Sequence, residues 1–69
     1  MSDKVYAVSK VVGTSKKSIE AAIENAIETT SKTVKNLDWF EVVSTRGYID
    51  EGNVKYYQVT LEIGFRYEK

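Results

Sequence analysis

VKYYQVTLEIGFRY, residues 54–67, decides the fold. Tyr57, Val59, Leu61, Ile63, Phe65 and Tyr67 alternate with Gln58, Thr60, Glu62, Gly64 and Arg66. Successive side chains of a strand point to opposite faces, so the first set forms an apolar face and the second a mostly polar one. A strand with one apolar face needs a layer to cover it. Immediately before it, DEGN at 50–53 reads as a hairpin loop, with Gly52 free to adopt positive φ. The partner strand then runs from about Trp39 to Ile49. Pairing Ile49 with Val54 sets Trp39 against Gly64, Phe40 against Ile63, Glu41 against Glu62, Val42 against Leu61, Val43 against Thr60 and Thr45 against Gln58. Directly opposed residues share a face. Phe40 and Val42 are therefore expected in the core, and Trp39 on the other face with Gln58. One extra residue in the loop, or a bulge, would reverse this.

The covering layer is the segment upstream. Ile19, Ile23, Ala26, Ile27, Thr30, Val34 and Leu37 recur at three- and four-residue steps, while Glu20, Glu24, Glu28, Lys32 and Lys35 lie off that stripe. This is the pattern of an amphipathic helix of about 20 residues, roughly 30 Å long. Ser15 or Ser18 could be its N-cap. Before it, DKVYAVSKVV (3–12) reads as a first strand ended by Gly13, with no clear inner face. The helix carries the chain back to the start of strand 1, so strands 1 and 2 run parallel and strand 3 fits between them. The expected architecture is α+β: β-α-β-β, a three-stranded antiparallel sheet in the order 1-3-2 packed on one helix, in a single domain over residues 1–69.

Composition narrows the function. With 69 residues the chain is short, and it has neither Cys nor His. Disulfides, thiolate metal sites and the commonest general base are excluded. A core this small usually needs a staple, and oligomerisation is the one left. Ten basic residues balance ten acidic ones, which argues against nucleic acid, whose binders carry a positive excess. No apolar run approaches the roughly 20 residues that span a bilayer, and MSDKVYAVSK lacks the apolar region of a signal peptide. The expected setting is the cytoplasm, with no membrane. Trp39, the only tryptophan, sits on the uncovered face beside a glycine, where it either fills a subunit interface or stacks on a ligand. Glu41 opposite Glu62 would repel in an isolated subunit and calls for nearby cations or partner subunits. It could also be taken for an acid/base pair, although a solvated or ion-paired rung is the simpler reading.

These residues carry a resemblance. VY in strand 1, VGTS before the helix, LDWFEV after it, RG in strand 2 and YQVTLEIGFR in strand 3, in β-α-β-β order, resemble the dodecins, small flavin-binding proteins that form hollow twelve-subunit shells. The resemblance covers nearly the whole chain. It implies a homo-oligomer, a dodecamer, in which two flavins stack face to face on a twofold axis between Trp39 and its symmetry mate. An indole is a large platform for a flat ring. Gln58 would pair with the pyrimidine edge, since an amide offers a donor and an acceptor together. Asp38 and Arg46 match positions bordering the pocket, but the register above turns Arg46 to the opposite face, so a twist or bulge is required. Lys4, Tyr6, Lys32 and Arg66 match positions that hold coenzyme A in some bacterial members. The function implied is flavin binding and storage without catalysis, with excited-state quenching by Trp39. The cofactor is FMN or riboflavin, which the residues do not separate from FAD. The competing readings are a structural oligomer without flavin and a flavin-dependent redox enzyme.

Overall fold

The computed structural model describes residues 3–67. Four elements follow one another: β1 (Tyr6–Ser15), α1 (Ile19–Ser31), β2 (Leu37–Asp50) and β3 (Asn53–Arg66). The sheet has the order β1-β3-β2, and both neighbouring pairs are antiparallel. The architecture expected from the connection lengths is the one observed. No helix among the described residues is long and apolar enough to cross a membrane.

Strand β1 lies three residues later than the pattern suggested. Gly13 does not end it but pairs with Val59 inside the ladder. A Cβ at Gly13 would overlap the carbonyl oxygen of Ala22 and lie 2.8 Å from Ala26 Cβ. Gly13 therefore lets the helix backbone settle onto the strand. The β1 register also resolves its inner face, with Ala7, Ser9, Val11 and Gly13 opposing Phe65, Ile63, Leu61 and Val59.

Helix α1 has 13 residues, not about 20. It begins at Ser18, whose side chain accepts from the Ala21 amide at 3.0 Å. It ends in Thr-Thr-Ser, residues whose side chains compete for backbone groups. Ser31 Oγ donates to the Glu28 carbonyl at 2.7 Å, and Asn36 turns the chain with φ 66°. Val34 and Leu37 continue the apolar spacing outside the helix. Leu37, as the first residue of β2, still packs against the core.

The core is narrow. Val59, Leu61 and Ile63 of β3 are essentially fully buried beneath Ala22 and Ala26, with Val11, Ile23, Ile27 and Leu37 around them. Each such aliphatic burial contributes about 1.5–3 kcal/mol. The helix lies over β1 and β3 and leaves β2 uncovered. Phe40 and Val42 oppose Ile63 and Leu61 as expected, yet they stay 46% and 42% exposed. Their expected place in the core is corrected: they are on the right face, but the helix does not reach them.

The β2–β3 hairpin closes through Glu51 and Gly52 with φ 51° and 81°, the all-positive pattern of a type I′ turn. The subunit is elongated, 57 × 20 × 13 Å, with a radius of gyration of 14.4 Å. A compact chain of this length would have about 11 Å. The excess is the hairpin arm, where Ile49 and Val54 are 77% and 53% exposed.

Candidate ligand-binding face

Sidedness on β2 is set by irregular pairing. Leu37 opposes Phe65 but Trp39 opposes Gly64, so Asp38 is unmatched. This places Leu37 on the helix side and its second neighbour, Trp39, on the open side. From Trp39 to Val42 the pairing is the one read from the sequence. Val43 is then unmatched, and Ser44, Arg46 and Tyr48 oppose Thr60, Gln58 and Tyr56. The expected pairs Val43–Thr60 and Thr45–Gln58 are therefore replaced. Arg46 moves to the face of Trp39 and Gln58, so the bulge that its assignment required is present. Lys55, unmatched on β3, restores the original count, and Ile49 opposes Val54.

The open face can be described in rows. Across β1, β3 and β2 they read Val8–Gly64–Trp39, Lys10–Glu62–Glu41, Val12–Thr60–Ser44 and Thr14–Gln58–Arg46. A Cβ on Gly64 would overlap indole Cε2, Cζ2 and lie 2.6 Å from Nε1. The indole thus lies over the glycine, and it remains 42% exposed. Val8, in the same row, is 52% exposed, so this row is an apolar stripe on a mostly polar face. Lys10 stands in register with Glu62, so a cationic residue shares the Glu41–Glu62 row. No group of three or more acidic, His or Cys side chains positioned for a metal occurs among the described residues.

The sequence-assigned residues separate into two clusters. At the Trp39 end, Tyr6 opposes Arg66. A hydrogen bond to Asp38 raises the Tyr6 pKa above its ordinary 10.0, helped by partial desolvation and the Asp38 charge, while Arg66 opposes the shift. Asp38, Tyr6 and Arg66 therefore belong together beside Trp39. Lys4, just before β1, and Lys32, the C-cap of α1, lie toward the same end of the subunit by topology. At the other end, Arg46 opposes Gln58. The pairing of Trp39 with Gly64 and of Arg46 with Gln58 separates the clusters by six residues of β3, about 20 Å.

Tyr48 and Tyr56 were missed from the sequence. Their ring centroids are 4.8 Å apart at 29°, and Arg46 Nη1 donates to the Tyr48 hydroxyl at 3.2 Å. Their near-symmetric placement about the hairpin turn was the available signal, but it needed the bulges to be interpreted. On the helix side, Ile27, Leu37, Asp38, Trp39, Phe40 and Ile63 line an open hollow of about 130 Å³ at the β2 edge.

The family model Dodecin matches residues 5–68. The chain belongs to the dodecin family. It is 53% identical over 66 residues to the dodecin of Thermus thermophilus, covering 96% of each chain. Among solved structures it is similar to dodecin from Streptomyces coelicolor, with TM-score 0.95, 46% identity and coverage of 100% of this chain and 99% of that one. It is also similar to dodecin from Streptomyces davaonensis, with TM-score 0.94, 44% identity and coverage of 99% and 100%. Dodecins are small, non-catalytic flavin-binding proteins.

Proposed function

We propose that this dodecin stores flavin, FMN or riboflavin, as stacked pairs held between Trp39 and the Trp39 of a twofold-related subunit, and quenches the bound flavin's excited state. The observation that carries this is the half-exposed indole lying over Gly64, in a row that continues to the exposed Val8. A ring seated this way offers a whole face to a second flat ring. A flavin centred on that indole lies away from Gln58 and Arg46 of its own chain. A neighbour related by a twofold axis runs in the opposite direction and can bring its own Gln58 to the same ring. Gln58 would pair with the pyrimidine edge, Arg46 would approach its oxygens, and Asp38 would border the pocket. At the far side of Trp39, Lys4, Tyr6, Lys32 and Arg66 form the candidate coenzyme A site.

A dodecamer fits the subunit's form. The uncovered stripe of Phe40 and Val42 and the bare hairpin arm at Ile49 and Val54 are surfaces that an isolated chain keeps in water at a cost. The structural-oligomer reading shares this feature but does not explain an indole laid over a glycine.

The test is a titration of the purified, assembled protein with FMN and with riboflavin, followed by loss of flavin fluorescence and by the mass of the released ligand. Saturable quenching supports storage. Unquenched flavin at every concentration overturns it. Gln58→Ala should leave the assembly intact and weaken binding by roughly 1–3 kcal/mol. Sedimentation of a folded monomer at micromolar concentration would exclude the dodecamer.

A further inference from the structure

Beyond Gln58 and Arg46, the open face carries a tyrosine pair, Tyr48 and Tyr56, to which neither flavin stacking nor coenzyme A binding gives a role. Arg46 opposes Gln58, and its guanidinium donates to Tyr48 two residues further along β2. Tyr48 in turn opposes and stacks on Tyr56 of β3. A guanidinium has five N–H donors in a planar fork, and this contact uses one. A free Arg head on an exposed strand samples many rotamers, and ordering it on binding is costly. A phenol backed by a stacked ring is an acceptor in a fixed place. It is also neutral. A carboxylate in that position would hold the head equally well but would cancel its charge; the phenol orients Arg46 and leaves the charge available to an acceptor opposite.

We propose that Tyr48 is a positioning residue for Arg46. It holds the guanidinium over the Gln58 end of the face and thereby sets flavin affinity, with Tyr56 as its backing. This rests on the flavin reading above and adds a determinant to it. Tyr48→Phe keeps the ring and its stack but removes the acceptor. Tyr56→Leu removes the stack and leaves the acceptor unsupported.

The experiment titrates FMN against wild-type protein, Tyr48→Phe, Tyr56→Leu, Arg46→Ala and the Tyr48→Phe/Arg46→Ala double variant, all as assembled protein at one salt concentration and temperature. Tyr48→Phe should raise Kd about three- to tenfold, the scale of one ordinary net hydrogen bond. The depth of quenching of bound flavin should not change, because Trp39 is untouched, whereas a general distortion of β2 would alter both. In the Arg46→Ala background Tyr48→Phe should change Kd by less than about twofold, the margin within which independent effects are counted as absent. Tyr56→Leu should weaken binding less than Arg46→Ala. A Tyr48→Phe Kd equal to wild type, or an equal loss with and without Arg46, overturns the proposal. A ligand-free crystal structure of Tyr48→Phe separates this claim from the flavin reading. If wild type binds no FMN, the flavin reading fails and the affinity role fails with it. An Arg46 head that has left its wild-type position still supports the positioning role, and one that has not moved overturns it.

Discussion

Val59, Leu61 and Ile63 alternate along β3 with Thr60, Glu62 and Gly64, and the two sets meet opposite surroundings. The first set is sealed beneath Ala22 and Ala26. The second faces outward, with Trp39 laid over Gly64. Each face has one glycine whose missing side chain lets something approach closely. At Gly13 it is the backbone of the helix; at Gly64 it is the edge of an indole. The difference is in what can yield. Helix backbone packed on a strand is fixed by hydrogen bonds on both sides, whereas a half-exposed side chain can swing away. The covered face carries the core, and the open face carries the proposed flavin site.

The comparison can be broken most severely at Leu61. Leu61→Ala should destabilise the protein by about 2–5 kcal/mol, read as a lower urea midpoint at fixed protein concentration. Gly13→Ala comes next. Its methyl would meet the Ala22 carbonyl, and a loss of about 1–3 kcal/mol is expected from the forced separation of α1 and β1. Trp39→Ala should reverse the pattern, with thermal unfolding of the ligand-free protein little changed. Flavin binding should weaken by about 1–3 kcal/mol for each lost stacking face, by analogy with nucleic-acid bases, and any flavin still bound should fluoresce. A collapsed fold with no separate binding defect would falsify the division between the faces. Gly64→Ala is the subtler version. It keeps the indole but unseats it, so flavin affinity should fall by only part of the Trp39→Ala loss, with quenching still measurable.

The smallest effect concerns Tyr6. Asp38 raises its pKa above 10.0, so the folded state favours the protonated phenol. That contribution is fully present below pH 10 and is lost as the pH rises through the higher folded value. Asp38→Ala should bring the phenolate transition of one tyrosine back toward 10.0, followed by ultraviolet titration. An unchanged titration would show that Asp38 does not hold the hydroxyl.

Much of this was legible in the sequence because it depends on alternation alone. The core row of β3, the β-α-β-β order, the hairpin and the placement of Trp39 over Gly64 all follow from period two and connection length. Three features were not legible. The end of α1 was hidden because Val34 and Leu37 continue the helical spacing in a segment that is no longer helical. The exposure of Phe40 and Val42 depends on where a single helix rests across three strands, which no local pattern encodes. The face of Arg46 depends on Val43, an ordinary strand residue with nothing in its type to mark it as unmatched. Gln58 was placed on the correct face because β3 is regular from Tyr56 to Arg66; Arg46 was not, because β2 is irregular there.

Two of the unmatched residues, Val43 on β2 and Lys55 on β3, act together like a pair of compensating frameshifts. Each adds one residue on its own strand, so the frame is displaced at Val43 and restored at Lys55. Outside that interval, as far back as Trp39, counting back from the turn gives the correct partner, which is why Trp39 lands on Gly64 although neither insertion is visible. Inside it, the same count is off by one, and the interval holds Arg46, Gln58, Tyr48 and Tyr56. These two positions are also spare length. Removing Val43 alone would close the bulge and leave Ser44 opposite Thr60 and Arg46 opposite Gln58. In aligning chains of this kind, a one-residue gap at either place need not move any side chain to the other face, whereas the same gap between Ser44 and Tyr48 would turn part of the open face inward.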